Sequence, residues 1–397
     1  NGAVEILCND PYRVAEDIPR FGFLIADAIV RNADTPVDEM DRAKACLLHL
    51  LEQAADRGHT YITRDRLFDQ CREMFAIGPD LGADALHHLV QAGELVVTDD
   101  GPLVFPKALH QAETVIAGRI AAMQTVRPVD PPPDGRLITG AVLNKLAIAL
   151  SDEQQRILSE IMAHKVSIIT GGPGTGKTTL IRSITAVMEA LGRRVMLAAP
   201  TGRAARRLSE VTGRSAATLH RALGYNLADG RFERTEDDPL TAAVVIVDEA
   251  SMVDTQLMAH LIRAVPVTAA LILVGDVFQL PSVGPGNVLA DLIRSRTIVT
   301  FELTEIFRQD EQSPIVINAH RVRRGQPPVV TPPEEPDLLS DFYFVERPDP
   351  DQAAKTVVSL CRNDIPRDFR LDPIRDIQVL TPMHRGHVGT LNLNRML

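Results

Sequence analysis

The sequence has few of the residues that mark metal-binding, disulfide-bonded or membrane proteins. It contains no tryptophan, and its four cysteines, at positions 8, 46, 71 and 361, form no C-x-x-C pair. Neither a zinc site nor a disulfide framework is therefore indicated, and scattered thiols favour a reducing cytoplasm. No apolar run approaches the ~18–20 residues that span a bilayer. Asn1–Asp10 also lacks the basic start and apolar core of a signal peptide.

Charge and length set further limits. The 397 residues have a formal net charge of −10, which argues against a protein coated with DNA-binding charge. A local basic track stays open, because phosphates respond to charges within a Debye length of ~10 Å. The length predicts two or three domains. Because the first residue is not methionine, we expect the chain to be cut from a longer protein.

The N-terminal region, residues 1–125, is predicted to be helical. Apolar residues recur at helical spacing in Arg42–Arg57 and Leu81–Gly93. Glu94–Val97 and Leu103–Phe105 could form a small β-wing after these helices. Helices followed by such a wing suggest a winged-helix module, and a helical spacer fits the pattern equally well.

A proline-rich stretch at 126–136 is predicted to be a stiff linker. Between 137 and 330, apolar runs alternate with helical segments, which is typical of a parallel sheet covered by helices. The four clearest strand candidates are Val166–Thr170, Arg194–Ala199, Ala243–Asp248 and Ala270–Gly275.

A second proline cluster precedes the last segment, residues 337–397. Phe342–Glu346, a helix near Asp351–Cys361, and Ile377–Thr381 look like the opening βαβ unit of a second α/β domain. About 60 residues are too few to close such a sheet, because each βαβ unit alone needs roughly 30. We therefore expect this domain to be incomplete.

A glycine-rich segment follows the first apolar run. Gly171–Thr178 has the pattern G-x-x-x-x-G-K-[ST] between a predicted strand and a predicted helix, the context of a phosphate-binding loop. Its backbone N–H groups and the helix N-terminus would surround phosphate oxygens. Lys177 would reach the β- and γ-phosphates, and the Thr178 hydroxyl would bind Mg²⁺. The predicted nucleotide contacts in this loop are Gly172, Pro173, Gly174, Thr175, Gly176, Lys177, Thr178 and Thr179.

Paired acids follow another apolar strand, Ala243–Val247. Asp248 and Glu249 at its end have the arrangement of a Walker B motif. Asp248 would hold Mg²⁺ through its water shell, and Glu249 would orient and deprotonate the attacking water. A helix N-cap with a first-turn acid is the alternative. The phosphate-binding loop upstream favours the catalytic interpretation.

Further segments resemble, in order, the motifs of one family. They are NDPY at 9–12 and FGF at 21–23 (helix-hairpin-helix), LSDEQ at 150–154 (Q motif), APTGRAAR at 199–206 (motif Ia), TLHR at 218–221 (DNA contact), GDVFQLPSVG at 275–284 (motif III), LTEIFRQ at 303–309 (motif IV) and TPM at 381–383 (second motor domain). In order and spacing the chain resembles the RecD-like ATP-dependent DNA helicases of superfamily 1B.

The resemblance implies a fold and an activity. The fold would be a RecA-like α/β P-loop sheet with an all-α N-terminal region and the start of a second α/β domain. The activity would be ATP- and Mg²⁺-dependent movement, 5′ to 3′, on single-stranded DNA or on duplex DNA with a single-stranded end. Partners would be DNA and other recombination or repair proteins, with no membrane. Family members continue into a complete second motor domain, so we expect hydrolysis by this chain alone to be impaired.

The resemblance also implies roles for individual residues. Gln154 would recognise adenine, Gln279 would couple the γ-phosphate to DNA, and Arg308 would act as an arginine finger. The residues themselves also allow a turn position for Gln279 and a surface ion pair for Arg308. Contacts to the DNA backbone, for which helix capping and solvated surface are the alternatives, would come from Thr201, Arg203, Thr218 and His220.

A basic stretch supports DNA binding independently of the family. Between residues 191 and 225 there is one acid among seven arginines, which are Arg193, Arg194, Arg203, Arg206, Arg207, Arg214 and Arg221. Arginines beside Thr and Ser hydroxyls suit phosphate contacts. Tyr225 and Phe278 are the candidates for stacking on bases.

Two other interpretations stay open. The chain could be the helicase part of a conjugative relaxase, although its N-terminal histidines form no H-x-H pattern. It could also be a nucleotide-gated DNA-binding subunit or scaffold that does not hydrolyse ATP. The presence of both Lys177 and Glu249 disfavours that second alternative.

Overall fold

The computed structural model describes residues 12, 22–33, 38–99, 101–127, 135–305, 313–330 and 340–397, with the backbone alone at 31–33 and 135–138. The chain divides into two units, residues 1–311 and residues 312–397. Within the described ranges, no helix combines the length and the apolar character that crossing a membrane requires.

The N-terminal region contains helices and a small antiparallel sheet. In chain order its elements are α1 (Gly22–Ala33), α2 (Glu39–Asp56), β1 (Ile62–Thr63), α3 (Arg64–Phe75), α4 (Pro79–Gln91), β2 (Leu95–Val97) and β3 (Leu103–Pro106). The strands pair in the order β1-β3-β2. Helices α2 to α4 followed by the β2–β3 wing have the arrangement of a winged helix, and the predicted helices and wing strands are confirmed. Most of the predicted helix-hairpin-helix segment lies outside the described residues.

A buried polar group ties α1 to the winged helix. Asp27, 6% exposed, accepts hydrogen bonds from the Tyr12 hydroxyl at 2.9 Å and from Arg42 Nε at 2.7 Å. Arg42 also donates to the Phe75 carbonyl at 2.9 Å, so three helices meet at one guanidinium. Burial and the neighbouring Asp27 carboxylate raise the pKa of Tyr12. The buried Asp27 carboxylate thus has two hydrogen-bond donors, one of them the Arg42 cation. A buried charge is tolerated only when it is paired and hydrogen-bonded in this way.

Six parallel strands and a hairpin follow. In chain order they are β4 (Val166–Gly171), β5 (Val195–Ala199), β6 (Ala216–Thr218), the antiparallel hairpin β7 (Tyr225–Asn226) and β8 (Arg231–Phe232), then β9 (Val244–Val247), β10 (Ala270–Gly275) and β11 (Val299–Leu303). The order across the large sheet is β11-β4-β10-β9-β5-β6, with every neighbouring pair parallel. All four strands predicted from the apolar runs are confirmed.

Helices cover both faces of this sheet. They are α5 (Lys107–Thr125), α6 (Gly135–Lys145), α7 (Asp152–Glu160), α8 (Lys177–Ala190), α9 (Gly202–Thr212), α10 (Leu219–Ala222), α11 (Thr255–Ala264) and α12 (Val288–Ser295). Strand residues alternate between the two layers: Val245 and Val247 pack towards α5 and α11, whereas Val244 and Ile246 pack towards α7 and α8. Burial on both faces explains why the central strands β9 and β10 are continuously apolar.

Helix α5 leaves the winged helix and enters the core of the large sheet. Its buried residues Ala112, Ile116 and Ile120 recur every four positions, which places them on one stripe against α11. Arg119 on the same helix donates to three carbonyls at the end of α11, those of Ile262, Arg263 and Val265. Because of this packing, the N-terminal region and the large sheet belong to one unit, although a linker was predicted directly after α5.

The second unit contains helices, and its predicted strands are wrong. Its elements are α13 (Pro314–Arg323), α14 (Pro350–Ser359), a π-helical turn (Leu360–Asp364), α15 (Ile365–Phe369) and α16 (Thr390–Met396). The predicted helix near Asp351–Cys361 is confirmed. Phe342–Glu346 and Ile377–Thr381 are irregular instead of extended strands. A strand needs a neighbouring strand as hydrogen-bond partner, and within 313–330 and 340–397 there is none.

We expect Arg119→Ala to lower the free energy of unfolding of the first unit by about 1.5–3 kcal/mol, the range for hydrogen bonds made by a charged group. The cation also interacts favourably with the negative, C-terminal end of the α11 dipole. Urea unfolding measures the change. Arg72→Ala is the control, because the Arg72–Asp69 pair is exposed and such pairs contribute about 0–1 kcal/mol. Equal effects of the two substitutions would contradict the assigned role of Arg119.

Candidate nucleotide and DNA site

The site lies at the carboxyl edge of the large sheet. Because the strands are parallel, the segments that follow them all leave at this edge, which is where open α/β sheets bind ligands. The P-loop follows β4, the paired acids follow β9 and motif III follows β10. Strand β10 lies between β4 and β9, so the P-loop and the acids are two strand spacings apart, roughly 10 Å.

The P-loop wraps around its own lysine. Gly174 and Gly176 have φ of +78°, in the left-handed region that glycine adopts without strain. Lys177 is the first residue of α8, and its Nζ donates to the carbonyls of Gly171 at 2.7 Å and Gly172 at 2.9 Å. The ammonium group therefore lies inside the curve of the loop, where phosphate oxygens would bind.

The remaining loop residues divide between the loop's interior and its rim. Thr175 is 3% exposed, and its hydroxyl donates to the Gly172 carbonyl at 2.9 Å. Thr178 and Thr179 are half-buried in the first turn of α8, whereas Pro173 and the glycine after it are exposed. The exposed backbone and the helix N-terminus together form an anion-binding arrangement.

Gln154 supports the P-loop from the side of α7. Its side chain is 1% exposed, and Nε2 lies 3.4 Å from the carbonyl oxygens of Thr175 and Gly176. Its Oε1 accepts the Ser151 N–H at 3.2 Å, completing a capping box at the start of α7. The amide is thus engaged by the protein at both ends, and its recognition of adenine stays a prediction.

The paired acids are tightly held. Asp248 donates its backbone N–H to the Ala198 carbonyl at 2.9 Å, and Asp248 Oδ1 accepts the Glu249 N–H at 2.9 Å. Glu249 has φ of +53°, a left-handed conformation that costs a residue with a Cβ about 1–2 kcal/mol. Strained backbone of this kind concentrates at functional sites.

Burial dominates the titration of both acids. It raises the pKa of Asp248, against the opposing effects of the Glu249 backbone N–H and of the Lys177 and Arg207 charges. Burial also raises the pKa of Glu249, assisted by the negative charge of Asp248 and opposed by the same two cations. A carboxyl with a raised pKa is suited to accept a proton near neutral pH.

Two acids that the sequence interpretation did not assign also belong to this region. Asp276 is 3% exposed, accepts the Phe278 N–H at 3.0 Å, and adds to the raised pKa of Glu249. Glu153 accepts hydrogen bonds from the N–H and the hydroxyl of Thr304 at 3.0 and 3.1 Å, which joins the Q motif to the start of motif IV. Both residues stand inside quoted motifs, which was the available signal.

Of the two predicted catalytic residues in motifs III and IV, the structure describes Gln279 and does not describe Arg308. Gln279 is exposed on the turn after β10, and its N–H donates to the Asp276 carbonyl at 3.1 Å. Arg308 lies outside the described residues, so its role stays a prediction.

The predicted DNA contacts lie at the same edge of the sheet. Thr201 and Thr218 are helix N-caps: their hydroxyls accept the N–H groups of Ala204 and Arg221 at 3.2 and 3.3 Å. Capping was the alternative interpretation of both threonines, and it is what their side chains do. Arg203, in the first turn of α9, is exposed, as is His220.

Aromatic rings surround the exposed His220. The rings of Tyr225 and Phe232 have centroids 5.4 and 5.8 Å from its imidazole. Tyr225 is 37% exposed and Phe278, at the other predicted stacking position, is 56% exposed. Both are therefore accessible to a base.

The arginine-rich stretch does not form one track. Arg193 and Arg194 directly precede β5, and Arg214 follows the far end of α9, so these three lie at the amino edge of the sheet. The remaining four follow β5 or β6 and lie at or near the carboxyl edge. A five-residue strand separates the two edges by roughly 16 Å. Only the second group shares an edge with the P-loop.

The donor set suits a magnesium ion bound together with phosphate. Across the described ranges there is no group of three or more His, Cys, Asp or Glu side chains that could hold a metal. The Thr178 hydroxyl and the Asp248 carboxylate supply oxygens, which Mg²⁺ prefers. In nucleotide sites Mg²⁺ takes one or two protein oxygens and completes its shell with phosphates and water.

A parallel sheet with a P-loop and paired acids at its carboxyl edge defines a P-loop nucleotide-binding protein, and family models agree. The model described as an AAA domain matches residues 149–340. The model described as the ATP-dependent RecD2 DNA helicase HHH domain matches residues 1–61. The first 61 residues are therefore similar to a helix-hairpin-helix domain of the RecD2 type, and residues 149–340 are similar to an AAA domain.

Curated relatives point to the same family. The ATP-dependent RecD2 DNA helicase of Deinococcus radiodurans is 34% identical over 402 residues, covering 99% of this chain and 53% of that protein. The RecBCD enzyme subunit RecD of Mycobacterium tuberculosis is 38% identical over 218 residues, covering 49% of this chain and 36% of that protein. The resemblance to the RecD-like helicases is confirmed: the chain is similar to the RecD2 helicase over almost its whole length and to the RecD subunit over about half of it.

The chain spans about half the length of the Deinococcus protein and about a third of the Mycobacterium protein. A crystal structure of Pif1 helicase from Candida albicans is 26% identical and matches 47% of this chain and 50% of that chain, with a TM-score of 0.37. A superposition at that score adds nothing to the family assignment.

We expect Asp248→Asn to raise the free energy of unfolding at pH 7. Burial raises the pKa of Asp248, so the folded protein keeps this proton to a higher pH than the unfolded chain does. The destabilisation therefore develops as pH rises above the ordinary value of ~3.9, is complete once pH exceeds the raised pKa, and is absent well below ~3.9.

Urea unfolding in metal-free buffer over a series of pH values measures this effect. The stability gain should be present at neutral pH and should disappear in acid. Asp237→Asn, at an exposed position, is the matched control. A gain that is independent of pH would contradict the explanation by burial.

Proposed function

We propose that the chain binds ATP with Mg²⁺ and couples its hydrolysis to movement along single-stranded DNA, as part of a RecD-like DNA helicase. The observation that carries the proposal is the shared edge: Lys177, the half-buried pair Asp248 and Glu249, and the exposed Arg203 all lie at the carboxyl ends of one parallel sheet. In this proposal residues 137–330 are the first motor domain and 337–397 belong to a second.

The nucleotide side of the proposal rests on charge and hydrogen bonding. The loop residues 172–179 bind the phosphates, with Lys177 on the β- and γ-phosphates. Thr178 and Asp248 hold Mg²⁺, which neutralises phosphate charge when bound. Glu249 orients the attacking water and accepts its proton, a role that its raised pKa supports. Gln154 supports the loop and recognises adenine.

Helix α9 offers a physical link between nucleotide and DNA. Its Arg207 lowers the pKa of Asp248 and of Glu249, so it lies close enough for its charge to act on both acids. The same helix carries Arg203 and Arg206, which are exposed. A shift of α9 on DNA binding would therefore change the electrostatics of the hydrolytic site.

The DNA side combines backbone contacts and stacking. Arg203 and His220 contact phosphates, with backbone N–H groups at the helix ends capped by Thr201 and Thr218 beside them. Gln279 in motif III couples the γ-phosphate to DNA. Arg308 acts as an arginine finger, on the resemblance alone.

Three further features rest on the resemblance to RecD-like helicases. These are movement from 5′ to 3′, partnership with recombination or repair proteins, and a cytoplasmic location. One relative is named as a subunit of the RecBCD enzyme, which supports the partnership. A helicase assay on duplexes with 5′ or 3′ tails tests the direction.

We expect Lys177→Ala to weaken Mg-nucleotide binding roughly ten- to a hundredfold, the effect of losing hydrogen bonds from a charged group. Calorimetric titration with a non-hydrolysable ATP analogue measures it. Lys44→Ala is the control, since Lys44 pairs with Asp41 on the helical region. Unchanged affinity in folded Lys177→Ala protein would contradict the nucleotide site.

Turnover separates hydrolysis from binding. Glu249→Gln should bind the analogue normally, and its ATP hydrolysis should fall about a hundredfold or more, the contribution of a general base. The rates are measured with and without single-stranded DNA. Wild-type chain that binds nucleotide without hydrolysing it would favour the nucleotide-gated DNA-binding subunit instead.

The two edges of the sheet supply a matched test of DNA binding. We expect Arg203→Glu with Arg206→Glu to weaken binding of single-stranded DNA. The slope of log affinity against log salt should fall by about 0.7 for each phosphate that the variant no longer neutralises. Fluorescence anisotropy over a salt series measures both quantities.

The control is Arg193→Glu with Arg194→Glu, which changes the charge equally about ten positions earlier in the sequence, at the opposite edge. It should change binding little, because that edge is roughly 16 Å away. Equal effects of the two double variants would show that the bound DNA strand does not follow the carboxyl edge of the sheet.

A further inference from the structure

A cleft separates the winged helix from the loop that follows motif III. It has a volume of about 410 Å³, within the range of roughly 300–1,000 Å³ for small-ligand sites. The turn between α2 and β1 and one side of α3 form one wall. Gly286, Asn287 and Asp291 form the other. The cleft lies outside the P-loop and outside the motifs to which DNA contacts were assigned.

The loop wall of the cleft is held in place. Gly286 donates its N–H to the Gly58 carbonyl at 2.9 Å, which ties the loop directly to the winged helix. Gly286 has φ of +98°, and a Cβ there would lie 1.9 Å from Thr255 Oγ1. Only glycine fits such a position. The Ser282 hydroxyl also donates to the carbonyls of Gly284 and Gly286, at 2.9 and 2.7 Å.

The winged-helix wall offers two arginines and an aromatic ring. Arg57 and Arg66 are both exposed and line the cleft, and neither forms an ion pair with a described residue. Tyr61 is 43% exposed, and its ring packs on Phe105 with centroids 5.1 Å apart. The one carboxylate on the lining, Asp291, accepts from Arg294 at 2.8 Å, so its charge is already paired.

This combination of groups suits one nucleotide of a single strand. Arginine donors recognise phosphate, and an accessible aromatic ring accepts a base of any sequence. The surrounding module disfavours a duplex: between residues 38 and 106 there are thirteen acidic and six basic residues. A duplex laid along it would meet repulsion, whereas one nucleotide in the cleft would meet the two arginines.

The cleft continues the surface of motif III. Leu280 and Val283, on the same loop, are 85% and 92% exposed, and Phe278 is 56% exposed. A DNA strand in contact with these residues would reach the cleft a few residues further along the loop.

We propose that this cleft is an additional DNA subsite, in which Arg57 and Arg66 bind backbone phosphate and Tyr61 stacks on a base of the strand that crosses motif III. The subsite rests on the proposed DNA-translocating function. It extends the DNA path from the motor sheet onto the winged helix.

The test uses the whole 397-residue chain and single-stranded oligonucleotides of about 5 and about 15 nucleotides, spanning the usual site sizes for such strands. For the longer strand, Arg57→Ala with Arg66→Ala should lower the salt slope by about 1.4, because a nucleotide inside a strand is flanked by two backbone phosphates, one for each arginine. For the shorter strand, which the motor surface alone can hold, the slope should not change.

The matched control is Arg64→Ala with Arg72→Ala. These arginines lie on α3, as Arg66 does, pair with Asp65 and Asp69, and do not line the cleft. Equal slopes for the cleft variant and this control at both lengths would overturn the subsite. The subsite would also be overturned if the cleft substitutions weakened binding of free ATP and left binding of the longer oligonucleotide unchanged. That result would favour a mononucleotide site.

Tyr61 supplies an independent readout. Tyr61→Leu should weaken binding of the longer strand about tenfold, the effect of removing one base stack, and Tyr61→Phe should restore it. Equal weakening with Leu and Phe would overturn the stacking role. If Arg203→Glu with Arg206→Glu weakens DNA binding and no cleft variant does, only the subsite fails. If the wild-type chain binds no DNA at all, the proposed function fails with it.

Discussion

Burial of the large parallel sheet on both faces is the constraint on which the rest of the structure depends. Its central strands are therefore largely apolar, and the charged groups of the site lie where the strands end. All six strands run in the same direction, and their carboxyl ends therefore meet at one edge. Strand β10 keeps the P-loop about two strand spacings from the paired acids, a gap that accommodates phosphate groups and a metal ion.

The chemistry at this edge conflicts with stability. Asp248 and Glu249 are held where burial raises the pKa of each, and Glu249 also has a left-handed backbone. The cations Lys177 and Arg207 oppose that penalty without removing it. A site that holds acids in this state is ready to bind cationic metal or to accept a proton, because either event relieves the unfavourable charge. Stability and function are thus set against each other at the same two residues.

The N-terminal region is joined to the motor sheet at two places. Helix α5 packs beside α11 and Arg119 binds the end of that helix, while the Gly58 carbonyl accepts the N–H of Gly286. The first contact fixes the winged helix to the core. The second reaches the loop that continues from motif III, which connects nucleotide and DNA in the proposed mechanism. Movement of the winged helix would therefore shift that loop through the Gly58–Gly286 hydrogen bond.

The sequence by itself determined the P-loop, the paired acids, the helices of the N-terminal region and the strands of the large sheet. Each depends on spacing within a short segment, and periodic burial makes that spacing visible. Only the tertiary structure decided which arginines share an edge with Lys177, that Gln154 holds the P-loop, and that Glu153 binds Thr304. The prediction of two strands after residue 340 was wrong because it, too, depended on contacts with distant segments. Contacts between distant segments leave no periodic signal, because they depend on which neighbour the fold brings to each residue.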